Sequence, residues 1–171
     1  YRGGFYRGGP VLMSAIAGVD QALWDIKGKR FGAPVHELLG GPVRDRIRVY
    51  QWIGGDRPSD VAEQARAQVD AGFSALKMNA TGAVERVDGP TAAAAAATRL
   101  REVREAVGEA VDIGVDFHGR VDKATAKRLV GALEPYDPLF VEEPVLPEHN
   151  DTLPAIAEHT ATPIATGERM Y

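Results

Sequence analysis

Apolar residues recur along the chain in two alternating rhythms. From Pro10 to Leu39 the rhythm is helical: "PVLMSAIAGVDQALWDIKGK" sets Ile16, Val19, Leu23 and Ile26 three or four residues apart, and Gly28 and Gly32 are expected to break the helix. After "GGP" at Gly40 to Pro42 the pattern changes. "RIRVYQWIGG" reads as a strand and "RPSDVAEQARAQVDAGF" as a helix, with Ser59 or Asp60 near its cap, Val61, Ala65 and Val69 on one face, and Gly72 as its stop. "SALKMN" is the next strand, and "DGPTAAAAAATRLREVREAVG" a long helix favoured by its alanines. "AVDIGVDFH" returns to strand. "VDKATAKRLVGALEPYD" predicts a helix capped by Asp122, buried on Ala126, Leu129, Val130 and Leu133, and ended by Pro135. "PLFVEEP", "NDTLPAIAEHT" and "TPIATGE" complete the series as strand, helix and strand. Five strands with helices in all four intervals predict parallel βαβ units, in an open doubly wound sheet or a (β/α) barrel.

Chemistry gathers at the strand ends. Asp116, Glu142 and Glu168 each lie at or just beyond the C-terminal end of a predicted strand, at equal intervals of 26 residues. In a closed parallel sheet, acids one βα repeat apart project at the same height and converge, on the face where barrel enzymes carry their active sites. Three carboxylates with water or substrate make an all-oxygen site suited to Mg2+. Capping of the following helices is the other use such acids have. Glu143 competes with Glu142; alternation turns its side chain away, and the equal spacing favours Glu142. In "DFHGR", extension of the strand would put Asp116 and His118 on one face, roughly 7 Å apart.

Composition narrows the function classes. The 171 residues are 44% hydrophobic and 26% charged, as in an ordinary globular domain, with a net charge of −4 and no basic stripe that would suit nucleic acid. The absence of cysteine excludes structural disulfides and thiolate metal sites and agrees with a cytoplasmic setting. No apolar run approaches a membrane span, so no membrane partner is expected. A glycine-rich nucleotide fingerprint is missing, since "GGD" at Gly54 to Asp56 is too short.

"DFHGR", "FVEEP" and "ATGERM" in this order, with "AIAGVDQALWDIKGKRFGAPVHELLGG" and "YRGGFYRGGPVLMS" upstream, resemble the enolase superfamily. Within its mandelate-racemase-like branch the similarity is closest to D-galactonate dehydratases. The resemblance implies a partial (β/α) barrel of the enolase type, with five barrel strands in residues 46–171. Residues 1–45 would then be the end and linker of an N-terminal α+β capping domain. It also implies that Asp116, Glu142 and Glu168 ligate Mg2+ and that His118 is a general acid. The reaction implied starts with removal of the proton α to a carboxylate, gives a metal-stabilised enediolate, and ends with acid-assisted loss of the 3-hydroxyl.

Many members of the superfamily carry Lys-x-Lys on the second barrel strand, where this chain has Lys77 and Asn79. Asparagine cannot take up a proton at neutral pH, which agrees with a dehydratase and counts against a two-base racemase. Lys77 and Asn79 are expected to touch the substrate, with pairing to a nearby acid the other fate open to Lys77. The family's general base, a histidine on a later strand, is not among these residues, and a whole barrel needs about 250 residues. The chain is therefore expected to be part of a longer protein, a homo-oligomer acting on D-galactonate. Dehydration or epimerisation of another aldonate, or a barrel without catalysis, are the alternatives.

Overall fold

The structure, a computed structural model, describes residues 7–85 and 88–171. It divides into two compact units. One comprises the described residues up to Arg48 together with Arg169–Tyr171, and the other is Val49–Glu168.

The first unit carries α1 (Pro10–Phe31) and α2 (Val35–Leu38). Gly28 does not break α1, contrary to the pattern-based expectation. The helix runs on to a left-handed cap at Gly32, and the chain folds back so that the Ala33 amide donates to the Gly28 carbonyl. A β-carbon at Gly28 would meet Ala33 O at 2.8 Å, so the glycine permits the close return after the helix.

In the second unit, β1 (Gln51–Ile53), β2 (Ala75–Asn79), β3 (Asp112–Asp116), β4 (Phe140–Glu142) and β5 (Ile164–Ala165) form one parallel sheet in sequential order. The intervals hold α3 (Pro58–Asp70), α4 (Pro90–Val107), α5 (Lys123–Leu133) and α6 (Leu153–Ala157). Sequential order without reversal is barrel connectivity and lacks the switch point of a doubly wound sheet. One face of the sheet presents Ile53, Met78, Val115 and Val141, all fully buried. Against it lie Val61 and Ala65 of α3, Leu100 and Val103 of α4, Leu129, Val130 and Leu133 of α5, and Ile156 of α6. This is the apolar core that the helical periodicity predicts.

The helix starts follow different rules. Asp122 caps α5, its carboxylate accepting from the Thr125 amide at 2.9 Å. At α3 the cap is Arg57, followed by Pro58. Asp60, three residues in, reaches back to accept from the Arg57 amide at 3.3 Å, so neither Ser59 nor Asp60 is itself the cap. At the N-terminal end of β3, the Arg104 guanidinium on α4 donates to the carbonyls of Tyr136, Gly108, Val111 and Asp137. The chain reversals around α4, β3 and the end of α5 are thereby fastened to one side chain.

Candidate active site

The other face of the sheet turns polar toward its C-terminal edge. Register pairs Trp52 with Lys77, Lys77 with Gly114 and Gly114 with Phe140, and one step further Asn79 with Asp116 and Asp116 with Glu142. Two rows of side chains therefore cross this face, and the second lies at the C-terminal edge. Gly114 leaves the space that Phe140 fills, for a β-carbon there would overlap the Phe140 ring. The Phe140 ring in turn lies 6.1 Å from that of Tyr50.

Lys77 reaches from the lower row into the upper one. Its Nζ lies 3.0 Å from Asp116 Oδ2 and 2.6 Å from Glu142 Oε2. The Asp116 side chain is only 2% exposed and that of Glu142 18%. Burial alone would lower the Lys77 pKa, but hydrogen bonds to Glu142 and Asp116 and the charges of both outweigh it, holding the ammonium above the usual lysine value. Next along the row, Asn79 Oδ1 is buried and has no hydrogen-bond partner among the described residues.

His118 arrives by a different route from the one strand alternation suggests. Strand β3 ends at Asp116, and His118 adopts the left-handed conformation at φ 56°, which costs a non-glycine residue about 1–2 kcal/mol. Asp116 Oδ1 accepts from the His118 amide at 2.6 Å and lies 3.5 Å from its Nδ1. The turn brings the pair closer than an extended strand would. Trp52 meets the imidazole edge-on at 6.3 Å and 86°, fixing the ring plane from β1. Sequence reasoning missed Trp52, although its register with Lys77 puts it on the polar face.

Glu168 stands on the exposed loop three residues past β5. Among the described residues, no group of three or more His, Asp or Glu side chains comes together so as to hold a metal ion. Two of the three predicted acids meet around the Lys77 ammonium instead. The donor set suits a hard cation: Asp116 and Glu142 offer only oxygen and already converge on one positive centre. Glu143 is 1% exposed and outside that row. Its Oε1 accepts from the Thr166 hydroxyl at 3.0 Å and the Gly167 amide at 2.8 Å.

A cavity of about 220 Å3 opens beside this edge, lined among others by Asn79, Asp56, Arg99 and Arg120. Arg99 is engaged there with the carbonyls of Gly55 and Asp56 at 3.0 Å. Among the described residues, no helix is long and apolar enough to cross a membrane.

The family description "Enolase C-terminal domain-like" matches residues 60–171, and "Mandelate racemase / muconate lactonizing enzyme, N-terminal domain" matches residues 2–40. A D-galactonate dehydratase of Ralstonia nicotianae is 57% identical over all 171 residues, and one of Pectobacterium atrosepticum is 54% identical. The chain spans 45% of the length of each. Among solved structures, a mandelate racemase/muconate lactonizing enzyme from Jannaschia sp. superposes with a TM-score of 0.90 at 36% identity, over 98% of this chain and 47% of that one. An enolase from Pantoea ananatis, with bound D-gluconate and Mg, gives 0.82 at 31% identity, over 98% of this chain and 48% of its own.

Proposed function

Because the chain belongs to the enolase superfamily, in its mandelate racemase / muconate lactonizing enzyme branch, we propose that the protein is a Mg2+-dependent sugar-acid dehydratase that converts D-galactonate to 2-dehydro-3-deoxy-D-galactonate and water. The observation that carries this reading is the row Asn79, Asp116 and Glu142 at the C-terminal edge of the sheet, with His118 turned onto Asp116. Identity of 53–57% to D-galactonate dehydratases supports the choice of substrate.

Asp116, Glu142 and Glu168 are the residues that would hold Mg2+. When bound, the ion supplies Lewis-acid stabilisation for the charge that gathers on a carboxylate as its α proton leaves. The Lys77 ammonium lies at the same place and is held charged, so it can add to that stabilisation or contact the substrate carboxylate directly. Asn79 Oδ1 accepts a hydrogen bond from a substrate hydroxyl, which would satisfy an acceptor without a partner among the described residues. His118 donates a proton to the departing 3-hydroxyl, with its ring held between Asp116 and Trp52. The base that takes the α proton is assigned to none of these residues. Residues 1–45 fit the end of the capping domain that precedes the barrel, and 46–171 its first five strands.

A second reading keeps the fold and metal but changes the substrate to another aldonate, or the reaction to epimerisation. The likeness to the Pantoea ananatis protein with D-gluconate favours it. The deciding experiment incubates the full-length protein with D-galactonate and several other aldonates in turn, with and without chelator, and measures 2-keto-3-deoxy product. Chelator-sensitive turnover confined to galactonate is the expected result. Turnover of a different aldonate establishes the second reading, and no keto product from any of them refutes dehydration.

A further inference from the structure

We propose that Glu143 is the positioning residue of this site, a staple that sets the loops after β3, β4 and β5 relative to one another and so places Glu168 and the His118 turn. The proposal rests on the reading of Glu168 as a metal ligand and His118 as the acid. Four hydrogen bonds carry it. The Glu143 amide donates to Ala165 O at 2.9 Å, its carbonyl accepts from the Gly119 amide at 2.8 Å, and its carboxylate Oε1 accepts from Thr166 Oγ1 and the Gly167 amide. One residue thus touches the chain directly after His118 and each of the three residues directly before Glu168.

The backbone explains how a single residue does this. In a regular parallel strand, the amide and carbonyl of one residue face the same neighbour. At Glu143 they face opposite ones, β5 and the β3 loop, and its φ of 44° marks the change of direction. A left-handed glutamate is held there against a cost of about 1–2 kcal/mol. Strand β5 ends at Ala165, so its ladder stops three residues short of Glu168. The carboxylate of Glu143 extends the hold across that gap. Its side chain is buried at 1% exposure, so water competes little for Oε1. Gly167 meets it at φ 138°, a conformation that suits glycine.

The test uses the full-length protein with three substitutions, Thr166→Val, Glu143→Leu and Glu143→Gln. Mg2+ affinity is measured by calorimetry without substrate, and amide exchange is followed in the peptide covering 164–168. Thr166→Val is expected to weaken Mg2+ about tenfold and Glu143→Leu about 10- to 100-fold, both with faster exchange in that peptide. Glu143→Gln keeps an oxygen acceptor for both donors and should stay within about threefold of the wild type. Wild-type Mg2+ affinity and exchange in Thr166→Val would overturn the proposal. So would a loss in Glu143→Gln equal to that in Glu143→Leu, which would make the charge decisive rather than the two bonds. If Glu143→Leu fails to fold, the other two variants decide. Glu142→Gln separates the two levels: unchanged Mg2+ affinity there refutes the metal reading alone. Exchange in 164–168 then judges the staple, acceleration supporting it and wild-type protection overturning it.

Discussion

Replacing Lys77 by methionine keeps the length and apolar stem of the side chain and removes the ammonium that lies between Asp116 and Glu142. Two carboxylates, one almost fully buried, would then face each other without a counter-charge. Breaking a buried ion pair from one side costs about 3–5 kcal/mol. Because Glu142 keeps some access to water, the lower end, about 3 kcal/mol, applies. For chains of a few hundred residues that amounts to a fall in Tm of about 6–12 °C. The assay is thermal unfolding of full-length wild type and Lys77→Met, in chelator and in Mg2+. A divalent cation can take over the neutralisation, so Mg2+ at about 100 times its Kd should return about 2.7 kcal/mol to the variant. The wild type should gain less, since its carboxylates are already compensated. The pH dependence has a definite sign. The folded-state pKa of Lys77 lies above the ordinary value of 10.5, so its stabilisation is fully present below that value and is lost only as pH rises through the higher, folded-state pKa. The gap between wild type and variant should hold from neutral pH to about 10 and close above it. Equal Tm values in chelator would refute the ammonium's role in holding the acids. A deficit that Mg2+ does not reduce would refute the equivalence of ammonium and metal.

Three further outcomes are expected, all in the full-length protein. Glu142→Gln should weaken Mg2+ by at least about 100-fold and abolish turnover, measured by calorimetry and keto-acid assay; wild-type affinity would remove Glu142 from the ligand set. His118→Asn should bind Mg2+ normally yet lose dehydration by about 100- to 10,000-fold, and an unchanged rate would place the acid elsewhere. Gly114→Ala should destabilise by about 1–3 kcal/mol in urea unfolding, because the new methyl group would overlap the Phe140 ring. Adding Phe140→Leu should recover part of that loss, and strict additivity of the two substitutions would contradict the overlap.

The sheet and its helices were legible because burial imposes period on sequence. Val61 and Ala65, or Leu129, Val130 and Leu133, repeat at helical spacing against strands that hide Met78, Val115 and Val141. The capping role of Asp122 was equally readable, since an aspartate before a helical run has few better partners than the amides it faces. Where the chain leaves regular structure, period gives no guidance. Gly28 reads as a breaker because the close return of Ala33 is a tertiary fact with no local signal. Extension of β3 through His118 failed because the strand stops at Asp116, where an aspartate side chain captures the amide two residues on. In the sequence Lys77 reads as a substrate contact or a partner of one nearby acid. Its bridge between two acids depends on the register of three strands, which no single segment encodes. In the sequence Glu143 is only a rival to Glu142, for its bonds run to residues some 24 positions away.

Arg104 has a consequence that lies outside the chemistry. Its guanidinium ties four carbonyls at the N-terminal end of β3, while Asp116 and the groups around it occupy the C-terminal end of the same strand. The two ends share a backbone but no side chains, so the fastening at one rim does not run through the reactive groups that barrels carry at the other. Variation at the reactive rim can therefore accumulate without loosening the fastening below. A lineage built this way can explore new substrates while the scaffold that presents them is inherited unchanged.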